Sequence, residues 1–71
     1  MPEEVQDNYN VMFVGYPDIV NVKQLQEMLG IGITLAYRLL NDNKIKAFKI
    51  GREYKIPKVN IIAYLLQQNK I

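Results

Sequence analysis

The chain has 71 residues and contains neither cysteine nor histidine, which removes disulfides, thiolate metal sites and the commonest general base and metal ligand. A single domain this small buries roughly 60% of its unfolded surface and has little material for an enclosed catalytic cleft. Its formal net charge is only +2, and its apolar runs fall far short of the ~20 residues that span a bilayer, so a soluble, cytoplasmic protein without membrane contact is expected.

Residues 1–10 read as a polar tail. Val11-Met12-Phe13-Val14, ended by Gly15-Tyr16-Pro17-Asp18, reads either as an extra strand or as an extended segment packed on the core. Residues 1–15 thus form a tail with a short apolar extension, and the folded domain is expected over 16–68.

The first helix has clear punctuation. Asn21 suits an N-cap, and Gln24 three residues later completes a capping-box pattern. Val22, Leu25, Met28 and Leu29 recur at helical spacing, and Gly30 supplies the stop. Two turns of helix do not persist alone in water, so this one must pack on a neighbour. A second helix follows almost at once, with Ile33, Ala36, Tyr37 and Leu40 on one stripe and Leu39 widening it. That stripe assigns Ile33 to the core. Two short helices across the tight Gly30-Ile31-Gly32 turn make a helix-turn-helix pattern, which many helical hairpins share.

Lys46 to Pro57 reads as a basic β-hairpin. Pairing Ile50 with Tyr54 and Phe48 with Ile56 places four apolar groups on one face and Lys49 opposite Lys55 on the other. The loop is then Gly51-Arg52-Glu53; a two-residue loop at Gly51-Arg52 would mix the faces. Like charges directly opposed weaken a sheet, which makes sense if an anion sits beside them. Residues 1–27 carry Lys23 against Glu3, Glu4, Asp7, Asp18 and Glu27, a net of −4. Residues 38–58 carry Arg38, Lys44, Lys46, Lys49, Arg52, Lys55 and Lys58 against Asp42 and Glu53, a net of +5. Such asymmetry points to nucleic acid or another polyanion.

Pro57 fits the first position of a third helix. Val59 and the run Ile61 to Leu66 make that helix apolar nearly all round. Its surplus face is either covered by Val11–Val14 or left open as a partner site. Tyr37 and Tyr54 read as core or core-edge aromatics with the hydroxyl outward. Gly51 serves the turn and also permits close backbone approach to a phosphate. No catalytic pair, phosphate loop, metal constellation or cofactor motif is present, so an enzyme is not expected.

The order of helix, tight turn, helix, basic hairpin and Pro-initiated helix resembles the excisionase-type helix-turn-helix family, small winged-helix domains related to the DNA-reading part of MerR-type regulators. The resemblance rests on Asn21 to Ile31, on Ala36-Tyr37-Arg38-Leu39-Leu40, and most specifically on the block Lys44 to Pro57, in which a base, Ile, Gly-Arg, an aromatic, a base and Ile-Pro follow one another from Lys49. It implies an α+β, mostly α, winged helix-turn-helix fold that binds double-stranded DNA, with the second helix in the major groove and the hairpin wing on an adjacent minor groove or the backbone. Carried onto this chain, it implies base contacts from Ile33, Thr34, Leu35 and Tyr37, a phosphate contact from Arg38, and wing contacts from Lys49, Gly51, Arg52 and Lys55.

The chain departs from the family where Ser usually stands at position 32 before polar or basic residues; here the run is Gly32-Ile33-Thr34-Leu35. No Arg, Asn or Gln at that point can pair bidentately with a base. Thr34 offers one hydrogen bond, and an apolar Ile33 or Leu35 suits a thymine methyl. The wing is therefore expected to carry most of the grip, with DNA shape supplying specificity.

The family implies an excisionase that bends the ends of a mobile element and steers an integrase, alone or with neighbouring copies of itself. The alternatives are a small stand-alone transcriptional regulator, and an accessory factor that meets a protein through the third helix. The absence of a long dimerisation helix and effector domain is expected to favour the excisionase or a stand-alone accessory factor.

Overall fold

The computed structural model describes residues 11–68, so the expectation for residues 1–10 lies outside the described residues. The elements run β1 (Ile19–Val20), α1 (Val22–Leu29), α2 (Ile33–Asn41), β2 (Phe48–Ile50), β3 (Glu53–Pro57) and α3 (Lys58–Gln68). This is the α+β winged helix-turn-helix expected.

α1 begins where its cap dictates. Asn21 Oδ1 accepts from the Gln24 N–H at 2.8 Å, and Gln24 Oε1 accepts from the Asn21 N–H at 3.0 Å. The two bonds satisfy donors that a helix start otherwise leaves unpaired. α1 ends at Gly30, whose φ of +64° is left-handed and favours glycine. The Gly30 and Ile31 N–H groups then both donate to the Gln26 carbonyl. α2 starts without a side-chain cap, because Gly32 occupies the N-cap. After Asn43, also left-handed at φ +58°, the Lys44 and Ile45 N–H groups donate to the Leu39 carbonyl. This reversal drives Ile45 into the core.

The three strands are antiparallel in the order β1-β3-β2. β1 pairs Ile19 with Pro57 and Val20 with Ile56. In the wing, Phe48 pairs with Lys55, Lys49 with Tyr54 and Ile50 with Glu53, leaving Gly51-Arg52 as the loop. This overturns the expected three-residue loop and with it the shared face of Lys49 and Lys55. The expectation assumed that the wing must bury one apolar face. The wing instead projects beyond the core: Phe48 and Ile50 are 48% and 61% exposed. Freed from that demand, the register follows the turn. Gly51, at φ +63°, takes the first position of a two-residue loop, a glycine place in such hairpins.

Val20, Leu25, Ala36, Leu40, Ile45, Ile56 and Ile61 form one buried cluster, to which every element but β2 contributes. Ile31 of the turn packs against this cluster, while Ile33 is 56% exposed. The core assignment of Ile33 is thus corrected. As the first residue of α2, it lies beyond the covered turn that holds Ala36 and Leu40, and Ile31 fills the place expected of it.

Residues 11–16 form turns and bends rather than a strand, with the Tyr16 N–H donating to Phe13 O at 3.0 Å. Phe13 and Tyr16 pack on the core, whereas Val11 and Val14 stay exposed. The segment is fastened by Lys58, which is only 5% exposed. Its Nζ donates to the carbonyls of Phe13 (3.3 Å) and Tyr16 (3.1 Å), and its N–H donates to Asp18 O (2.7 Å). Lys58 therefore belongs to the interior and not to the basic surface. Pro57 closes β3, and α3 starts one residue later than expected. Ile61 and Ile62 of α3 are fully buried, and among the described residues the exposed large apolar groups all lie outside α3.

Candidate nucleic-acid interface

One side of the molecule carries the exposed flank of α2, the inner face of the wing and the wing tip. At 100° per residue, Thr34, Arg38 and Asn41 run along the solvent side of α2, opposite Ala36 and Leu40. Ile33 and Tyr37, one turn apart, form the flank toward the wing. Leu35 is also exposed, but it lies on the flank away from the wing.

The wing is tied to α2 through an aromatic junction. The Tyr37 and Tyr54 rings lie 6.0 Å apart between centroids and are tilted by 58°. The Tyr54 hydroxyl donates to Asn41 Oδ1 at 2.6 Å. Lys49 Nζ sits 5.3 Å from the Tyr54 ring centre, within cation–π range. The pairing of Lys49 with Tyr54 that broke the expected register is what turns Lys49 toward α2. Arg52 at the tip lines a shallow groove of about 210 Å³ together with Asn21, Val22, Lys23, Tyr37, Glu53 and Tyr54.

Lys55 is on the other side. It shares the outer face of the wing with Phe48 and Ile50 and pairs with Glu53 at 3.3 Å. The fold thus gathers Thr34, Tyr37, Arg38, Lys49, Gly51 and Arg52 on one side, and separates Leu35 and Lys55 from them. Asn41 and Tyr54 escaped the sequence reading as a functional pair. A helix-ending Asn and a strand Tyr 13 residues apart carry no local signal of their bond. Lys44 and Lys46 border a second groove of about 200 Å³ beside Asn60 and Tyr64, in which Asn60 Nδ2 donates to Lys46 O at 2.8 Å.

A protein-family model described as a helix-turn-helix domain matches residues 19–69, from the first strand through α3. The chain belongs to the helix-turn-helix domain family. That family includes excisionase-type domains, so the resemblance carried by the wing and the two short helices holds. No curated protein and no solved structure matches the chain. Membership makes this helix-turn-helix protein a DNA-binding protein whose partner is double-stranded DNA. Domains of the family are typically non-enzymatic. Among the described residues, no helix is long and apolar enough to cross a membrane.

Proposed function

We propose that this helix-turn-helix protein is a non-enzymatic, cytoplasmic architectural factor of the excisionase type. It lays α2 in the major groove, sets its wing on the adjacent minor groove or backbone, and bends the duplex for a recombinase. The binding unit is residues 16–68. Its contacts are Thr34 and Tyr37 on the bases, Arg38 on a phosphate, and Lys49, Gly51 and Arg52 from the wing, whereas Leu35 and Lys55 face away from the duplex. The observation that carries this reading is the Tyr37–Tyr54–Asn41 junction, which fixes the wing to the helix. A wing held at a set angle to α2 engages two grooves at once only on a duplex of matching curvature.

The test is energy transfer between dyes at the two ends of a short duplex carrying a site recovered by in vitro selection. Saturating protein is expected to shorten the end-to-end distance, and Tyr54→Phe to shorten it less. A duplex that binds tightly yet stays straight would sink the excisionase reading in favour of a regulator that simply occupies an operator.

A further inference from the structure

We propose that the first turn of α2 reads the 5-methyl groups of thymine in the major groove. This rests on the DNA-binding reading above and names what the recognition helix selects. Three observations carry it.

The first is exposure. Ile33 is 56% exposed and Tyr37 40%, and these two apolar groups stand one turn apart on the flank facing the wing, beside the exposed methyl-bearing Thr34. The second is the lack of other reading chemistry. From Gly32 to Tyr37 the helix start offers no Arg, Lys, Asn or Gln. Asn41, the carboxamide of α2, is the last residue of the helix, far from its first turn, and its Oδ1 accepts the Tyr54 hydroxyl at 2.6 Å, which ties the side chain to the wing. Arg38 remains, one turn beyond Thr34 in the last turn of the helix.

The third is the frame around the stripe. Arg38 follows Tyr37 on α2, Lys49 sits against Tyr54, and Arg52 shares with Tyr37 a groove that Glu53 also lines, so three cations near the stripe attract the phosphate backbone. An apolar stripe with cations beside it suits a major groove, in which methyl groups project between two rows of phosphates. Thymine alone among the four bases presents a methyl group there. Leu35 is excluded by direction, since it points to the opposite flank.

The test uses the full chain. Sites are recovered from a randomised duplex pool, and each thymine in the preferred site is replaced singly by deoxyuridine. That change keeps the base pair and its O4 acceptor and removes only the methyl group. At thymines under α2, affinity by fluorescence anisotropy is expected to fall about fourfold per methyl, the value of one buried CH₂ group. In Ile33→Ala the thymine-to-uracil ratio is expected to collapse toward one. In Arg38→Ala both duplexes should weaken and the ratio should persist. Equal affinity for thymine and uracil at every position would overturn the inference, as would a ratio that survives Ile33→Ala. Steeply salt-dependent binding without a methyl effect removes this inference alone. Failure to bind any duplex removes the DNA-binding reading with it.

Discussion

Tyr54 shows how one side chain joins stability to function. Its ring packs on the core and on Tyr37, its hydroxyl holds Asn41 of α2, and Lys49 lies over its face. Removing the hydroxyl in Tyr54→Phe keeps the ring and deletes one hydrogen bond. Denaturant melting is expected to register a loss of about 0.5–1.5 kcal/mol. An unchanged midpoint would mean that the Asn41 bond does not hold the wing. Lys58 makes a complementary point. By composition it is one more base in a basic stretch, yet two backbone carbonyls take up its ammonium group inside the fold. Its role was illegible in the sequence because Phe13 and Tyr16, whose carbonyls it meets, lie more than 40 residues away. Ile33 misled for a related reason. Periodicity gives the direction of a side chain, and the extent of the neighbouring surface decides whether anything covers it.

At the scale of elements, legibility followed the range of the deciding contacts. The start of α1 could be read because both capping bonds close within four residues, and its end because Gly30 must be left-handed. The strand β1 could not be read. It is two residues long and exists only because Val20 and Ile19 meet Ile56 and Pro57, while the more strand-like Val11–Val14 turns back on itself. The wing register was lost in the same way. Apolar alternation favoured one pairing, and a two-residue turn with glycine in the left-handed region selected the other. Gly51→Ala tests this directly. A Cβ there meets no neighbouring atom within 4 Å, so any cost is backbone strain, about 1–2 kcal/mol. The expected result is a lower melting midpoint with faster amide exchange confined to the wing. Wild-type stability in this variant would argue that residue 51 does not sit at positive φ.

The whole molecule divides its surfaces by task. The interior is closed by α3, which buries Ile61 and Ile62 fully and leaves Val59, Ala63, Tyr64, Leu65 and Leu66 half-buried. Ile62→Glu therefore places a carboxylate where no water reaches, and the chain is expected to lose its cooperative melt in circular dichroism. A folded variant that had only lost a binding partner would instead restore the idea of an interface on α3. The proposed DNA-facing side combines α2, the inner wing face and the tip, while Lys55 lies on the outer wing face and pairs there with Glu53. The central claim is that division of the wing into a DNA-facing and an outward face. It is tested most directly by the salt dependence of duplex binding, measured by anisotropy for the wild type, Lys49→Ala and Lys55→Ala. With three to five cations on phosphates, the wild-type log–log slope is expected to be about −3 to −5. Lys49→Ala should reduce its magnitude by about 1, and Lys55→Ala should leave it unchanged. A flat wild-type response, or equal losses from the two lysines, would contradict the account.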